Sequence, residues 1–549
     1  MSNSISFFSR HPILKWTLII IIGIVVLSYL WLLSRMRGPY HNYTLDFLIP
    51  DPSSNPTPSI LEVGVAKRDI TPVLELFDPW EDVNNNGKFD PGVDRFEDRN
   101  KNGRFDGIWI AGFGTNRPAK GIHDPQWVRA IALRNNGVTL VMATFDAIGI
   151  YHNDFITIRK MVDPTLKIDH ILFSSTHCHE VIDTMKIWSF WRRIKGLDIP
   201  IFGFNEEHMK FIQRMAKEAI EEAVRNLQPA DMYCTQVQVG PEGFVEDTRK
   251  PIVMDLNMYL FKFTKHNTDE TIGTLVCWGN HPETLGSDNN YLTSDFPHYL
   301  REGLEKGVPE PNGAPGFGGI CLYFQGMLGG LMTQLHVEVP DRAGRATYKE
   351  DSFEKAEALG YNVAKVAIEA LRSPNVWKNE NPLIAVAGKT FLAPMEGHFK
   401  YAIMLGLIHE GYYRGGRAKS EVNAVRIGDV FILTVPGELY PEVVQGNIEA
   451  LPGNDFNLTA PVESPPLRFE MEKEARMAFV IGLANDEIGY IIPKSQWDVK
   501  PPFVYGNKQY GEINSGGPDV APTYHKTALE LIQRLNSAYP LKTKKRVSN

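Results

Sequence analysis

Cysteine is scarce: four in 549 residues, Cys178, Cys234, Cys277 and Cys321, with no C-x-x-C spacing among them. That is too few for a disulfide framework and leaves one bridge open on sequence alone. Basic excess is missing as well. The net charge is −8 and neither half of the chain is strongly basic, which argues against nucleic acid as a partner. Hydrophobic content of 43% and aromatic content of 11% are those of a globular protein. At this length one large domain with appendages, or two domains, is expected.

Long apolar runs are also absent, with one exception. Trp16 to Leu33, "WTLIIIIGIVVLSYLWLL", holds eighteen residues without a charge, close to the ~20 that cross a bilayer as a helix. Trp16, Tyr29 and Trp31 suit the interfaces. No A-x-A-like cleavage site follows, so a retained signal anchor is favoured over a cleaved signal peptide. Residues 1–15 form a short tail, expected inside. Residues 34–59, rich in Pro, Ser and Asn, read as a tether. The folded domain is expected over 60–540, outside the cytoplasm (periplasmic or extracellular), before a basic tail at 541–549.

Residues 81–106 repeat themselves: "EDVNNNGKFD" and "EDRNKNGRFD" stand sixteen residues apart. Each copy contains D-x-N-x-N-G-x-x-D, giving Asp82, Asn84, Asn86 and Asp90, then Asp98, Asn100, Asn102 and Asp106. Oxygen atoms at alternate positions with glycine sixth are how a tight loop wraps Ca²⁺. The twelfth position carries Val93 and Trp109 where an EF-hand has a bidentate Glu. Structural Ca²⁺ binding by an inserted loop is expected, with Asn/Gly turn chemistry as the alternative.

Elsewhere strand-like and helix-like segments alternate. Residues 137–150 and 170–179 read as strands, 271–286 as a strand running into a loop, 205–227 and 351–373 as helices, and 424–451 as strand, Pro-Gly turn and helix. The pattern is α/β with mixed sheets. Three strands end in ligand-type side chains: His177 and His179 in "SSTHCHE", His281 in "NHPETL" and Glu438 in "PGE". Residues two apart on a strand point the same way, which would align the two imidazoles and turn Cys178 into the core. Two histidines and a glutamate are a ligand set for catalytic zinc. Hydrogen-bonded structural histidines, a turn role for His281 and a helix-cap role for Glu438 stay open on this reading.

These residues resemble the neutral/alkaline, non-lysosomal ceramidases, zinc amidases that split ceramide into sphingosine and a fatty acid. The likeness runs from residue 61 to about 500 through "VGVAKRDITP", "AGFG", "GIHDPQWVRAIAL", "SSTHCHE", "NHPETL", "PGE" and "NDEIGYIIPKSQWD". It implies that family's layered mixed sheets flanked by helices. It implies zinc on His177, His281, Glu438 and Tyr490, with His179 beside the metal as a catalytic group. The family's Gly-x-x-Gly-Asp-x-Ser-Pro loop is replaced by "GMLGGLMTQL": Gly330 stands for the aspartate and Met332 for the serine, leaving Thr333 as the nearby hydroxyl and the candidate catalytic residue in its place. Few residues follow Tyr490, so the family's C-terminal β-sandwich is expected to be missing.

The chemistry implied is hydrolysis of an amide in an N-acyl lipid. Zinc lowers the pKa of a bound water to about 7 and polarises a carbonyl, while His179 shuttles a proton or stabilises the oxyanion. Asp146, Asp295 and Asp486 are candidate partners behind the histidines. Residues 185–196, aromatic and basic, read either as a lid meeting lipid or as an amphipathic helix on the domain. A metal-dependent esterase or phosphoesterase is a second reading, although the Asp/His set for a second metal is not apparent. A non-catalytic lipid-binding relative is a third.

Overall fold

The computed structural model describes residues 12–540 apart from 55, 58, 189–190, 195–196, 201–204, 381, 405–407, 409–415, 450–461 and 507. Two mixed sheets lie face to face. The larger orders its strands Ile320–Gln325, Thr271–Trp278, Asn257–Lys265, Gln228–Gln238, Leu61–Asp69, Trp127–Asn135, Val138–Phe145 and His170–Ser175, with Trp377–Lys378 added beside Gln228–Gln238. The smaller runs Asp46–Ile49, Ile384–Pro394, Arg417–Ile427, Val430–Thr434 and Met477–Ile481.

Side-chain alternation builds the layers. Ile131 and Leu133 face the smaller sheet, while Val128, Ala130 and Ala132 of the same strand face outward. In the smaller sheet Val430, Ile432, Phe479 and Ile481 point to the shared interior, and Phe431, Leu433, Ala478 and Val480 point away. Helices close both outer faces. Glu206–Arg225, Phe296–Lys306 and Phe353–Arg372 cover the larger sheet, and Val520–Ala538 covers the smaller. Asn205 and Ser352 cap their helices by accepting from the backbone N–H groups of His208 and Lys355. The result is the expected α/β class: layered mixed sheets flanked by helices behind an apolar N-terminal helix.

Three expectations change. The N-terminal helix is longer than the apolar run, Pro12–Arg37. Residues 34–59 are not simply a tether: Asp46–Ile49 pairs antiparallel with Ile384–Pro394, and Phe47 and Ile49 pack into the layer between the sheets. These four residues, Asp46 exposed and Phe47, Leu48 and Ile49 half-buried, were hidden among prolines and serines. Residues 185–196 do not read as one helix, because Trp191–Ile194 pairs with Leu197–Pro200 as a strand. Within that stretch 189–190 and 195–196 lie outside the described residues, as do 1–11 and 541–549. Between Thr434 and Gly446 the chain forms a two-residue strand, Glu438–Leu439, and the short helix Glu442–Gln445.

A buried polar node ties the sheets together. Arg159 binds both carboxylate oxygens of Glu421 at 2.6 Å and also donates to Asn485. His152 and His170 approach the same carboxylate at 3.9 Å. Burial pushes the Glu421 carboxyl up, but Arg159 outweighs it and holds the group at about 2. Burial pulls His152 down to about 4 and His170 to about 3.

Both effects carry one sign. All three folded values lie below the ordinary ones, so their stabilisation is present above those and is lost on acidification. The histidine share is lost as pH falls from about 6.5 toward 4 and 3, and the Glu421 share from about 4.5 toward 2. The thermal midpoint should therefore fall steadily below pH 6.5. Arg159→Met should cost about 3–5 kcal/mol by leaving Glu421 buried and unpaired, which parallel thermal melts of the two proteins check.

Candidate metal centre

His177, His179 and His281 are buried together, with one ring nitrogen from each within 4.8 Å of the others. Loops at the carboxyl ends of three parallel-paired strands deliver the site. His170–Ser175 leads into His177 and His179, Thr271–Trp278 into His281, and Val430–Thr434 into Glu438. Such sheet edges free the chain from ladder hydrogen bonds while its origin stays rigid.

The alignment of the HCH pair has a different cause from strand alternation. The strand stops at Ser175, and His177 takes φ of 61°, a left-handed conformation that breaks the extended register. Strain of this kind is tolerated where surroundings over-determine it. Here the His177 backbone N–H donates to Ala147 O at 3.0 Å and the His179 N–H to Pro282 O at 2.9 Å. The imidazoles then meet edge to face, centroids 4.9 Å apart. Gly112 of "AGFG" makes room: a Cβ there would stand 2.4 Å from His179 Cβ. Cys178 is buried as expected.

Main-chain carbonyls orient the two outer imidazoles. His177 Nδ1 lies 2.6 Å from Ile148 O, and His281 Nδ1 lies 2.5 Å from Met332 O. A carbonyl only accepts, so each Nδ1 carries the proton and each Nε2 turns inward. Both inward nitrogens converge on Glu438 Oε2, His281 at 3.1 Å and His177 at 3.5 Å. Glu438 is thus neither a helix cap nor a surface acid. Its two-residue strand pairs in parallel with Tyr490–Ile491, placing Tyr490 opposite Glu438 in register.

His179 stands apart from this pattern. Both its ring nitrogens are buried without a hydrogen-bond partner among the described residues. Its Nδ1 lies 3.3 Å from Glu283 Oε2. The other oxygen of Glu283 accepts from Thr333 Oγ1 at 2.5 Å. Thr333 is therefore placed one carboxylate away from His179, and its neighbour Met332 contributes a carbonyl to His281. Asp146, Asp295 and Asp486 serve elsewhere: Asp146 binds Arg301 at 2.7 and 2.9 Å, Asp295 accepts from the N–H of Thr284 at 2.8 Å, and Asp486 from that of His152 at 3.0 Å.

Electrostatics follow from burial and pairing. Burial raises the Glu438 carboxyl, yet His177 and His281 outweigh it and hold the group well below the usual range. His281 is lowered by burial but raised more by Glu438 and Glu283. Burial and the neighbouring cations keep His179 well below its ordinary value, hence neutral. Burial, then the charge of Glu438, pushes Tyr490 and Glu487 well up. Inward-facing imidazole nitrogens, a carboxylate and a His179 ring whose nitrogens have no hydrogen-bond partner among the described residues are a donor set that fits a divalent transition metal.

Sequence reasoning overlooked two residues here. Glu283 lies two positions after His281 in "NHPETL", so it was within reach of the same motif. Gln325 gave no signal. Buried at the end of Ile320–Gln325, its amide donates to Thr176 O at 2.9 Å and Asn280 O at 2.8 Å, clamping the residues just before His177 and His281. Gly329 brings the next loop in, its N–H donating to Leu439 O at 3.0 Å where a Cβ would collide with that backbone.

The calcium candidates form a separate pair of matching loops. Asp82 accepts from the N–H groups of Asn86 and Gly87, and Asp98 from those of Asn102 and Gly103. Asn84 and Asn86 donate to Asp90, and Asn100 and Asn102 to Asp106. Phe89 and Phe105 stack between the copies at 4.0 Å.

Gln325→Leu should keep the fold yet weaken metal retention by ~10–100-fold, the usual effect of losing a group that orients ligands. Competition with a chromogenic chelator measures it. Unchanged retention would remove Gln325 from the account.

The sequence matches no family model, and no curated protein is similar to it. Solved structures are. One described as neutral ceramidase from Pseudomonas aeruginosa superposes with a TM-score of 0.58 at 14% identity, covering 90% of this chain and 77% of that one. Another, described as ceramidase complexed with C2, gives 0.58 at 13% identity with the same coverage. The fold of this chain is that of the neutral ceramidases.

Proposed function

We propose that this protein is a zinc-dependent amidohydrolase that cleaves the amide bond of an N-acyl lipid, ceramidase-like, in a domain held outside the cytoplasm by its N-terminal helix. The observation that carries the reading is the pair of Nδ1-to-carbonyl contacts that turn the Nε2 atoms of His177 and His281 onto Glu438. Zinc held there supplies Lewis acidity, lowering the pKa of a water to about 7 and polarising an amide carbonyl.

The chain's own residues divide the remaining work. His177, His281 and Glu438 hold the metal, and Tyr490, in register with Glu438, completes the set. His179 is neutral and takes or returns a proton at a ring nitrogen. Glu283 fixes the direction of that ring, and Thr333 fixes Glu283 through its hydroxyl. Thr333 acts as a positioning residue, where a direct catalytic part was the first expectation.

The acidic loops bind calcium in a structural role. Support comes from two matching loops with Asp90 and Asp106 each facing two asparagine side chains. Added calcium should raise the thermal midpoint, and Asp90→Ala with Asp106→Ala should abolish that rise. A midpoint indifferent to calcium would leave the loops as Asx turns.

The full chain, purified in detergent without chelator, should carry about one zinc and release fatty acid from a short-chain fluorescent ceramide. His177→Ala and Glu438→Ala should lose both. Glu283→Gln should retain zinc while kcat falls ~10–100-fold. Zinc without ceramide turnover would redirect the search to other N-acyl lipids, and a zinc-free chain would end the hydrolase reading.

A further inference from the structure

The junction between the N-terminal helix and the domain has no slack. The apolar span Ile13–Ser34 is unburied, and its helix continues to Arg37. Met36, in the last turn, already packs half-buried against the apolar cluster under the smaller sheet. Three residues after the helix, Tyr40 is docked. Its hydroxyl meets Thr157 Oγ1 at 2.9 Å, and Lys160 Nζ lies 4.2 Å from its ring centroid. Lys419 then donates to the carbonyls of Tyr40, His41 and Tyr43 at 3.3, 2.5 and 2.8 Å. Tyr43 takes Arg159 at 3.1 Å, and the strand Asp46–Ile49 follows at once.

Arithmetic places this junction. Twenty-two residues at ~1.5 Å each span ~33 Å, the thickness of a hydrocarbon core. Met36, two residues beyond Ser34, therefore lies ~3 Å past the core edge. The headgroup layer on each side is ~5–7 Å deep. A side chain packed into the domain thus sits inside that layer, and the domain surface around it must be there too. The helix Gly397–Met404 runs beside the N-terminal helix. Phe399, Ala402 and Met404 join the same cluster as Met36, and Tyr401 points outward, 62% exposed. Tyrosine with an apolar body and a polar tip suits a bilayer interface.

We propose that helix Gly397–Met404 is a membrane-docking element that lies in the headgroup layer, so that the rigidly attached anchor holds the catalytic domain flat on the bilayer in one orientation. The occupant of this face is the lipid surface itself. The proposal rests on the anchor reading above and is independent of the zinc reading. Its consequence is access: the apolar cluster that carries Met36 and Phe399 also contains Ile148 and Met185, and Ile148 holds His177.

All four native cysteines are buried, so Tyr401→Cys offers one accessible thiol. The full-length variant, labelled there with a small fluorophore, would be reconstituted in phosphatidylcholine vesicles with and without nitroxide on the lipid headgroup. Loss of most of the emission with nitroxide lipid is expected. Unchanged emission from an intact, bilayer-inserted chain would overturn the docking proposal and leave the anchor standing. Intact mass on the same sample separates the other failure: a chain cut near residue 34 would remove the anchor, and the proposal with it.

Discussion

A carboxylate buried between two imidazoles is the interaction on which this molecule turns. Glu438 is nearly out of solvent, and an isolated charge there would cost several kcal/mol. It is tolerated because His177 and His281 present their Nε2 atoms to it, at 3.5 and 3.1 Å. Those nitrogens face inward because Ile148 and Met332 each hold the opposite nitrogen by a carbonyl. The histidines are held opposite those carbonyls because Gln325 clamps the backbone just before each of them. Each step moves outward from the charge to a sheet whose packing is ordinary alternation of apolar side chains.

The same hierarchy explains what could be read from sequence. Period-two and period-3.6 patterns carried the α/β class, the helices at 205–227 and 351–373, and the strands ending near His177, His281 and Glu438. Ligand chemistry then singled those residues out. What escaped depends on backbone geometry that no side-chain period reports. His177 reaches its place through a left-handed φ of 61° rather than along a strand. The partners behind the histidines are main-chain carbonyls, which carry no residue signature, whereas Asp146, Asp295 and Asp486 looked suitable and are engaged elsewhere. The strand Asp46–Ile49 was masked by the composition around it, since four residues cannot outweigh flanking Pro and Ser.

Burial and charge around the site also set its histidines apart. His281 sits beside Glu438 and Glu283 and is favoured in its charged form, while His179 faces other potential cations and is kept neutral. Two histidines of one buried cluster thereby acquire opposite protonation preferences from environment alone. Glu283 supplies a negative charge beside His179, and the hydroxyl of Thr333 prevents it from rotating away. The adjoining loop anchors the site twice, with a carbonyl from Met332 on His281 and a hydroxyl from Thr333 on Glu283.

The most direct test of the central claim is X-ray absorption at the zinc edge on the purified full chain, compared with Glu438→Gln. The account predicts a shell of nitrogen and oxygen only, with the multiple-scattering signature of coordinated imidazole, and loss of an oxygen contribution in the variant. An unchanged shell in Glu438→Gln, or an absence of zinc from the native protein, would contradict it.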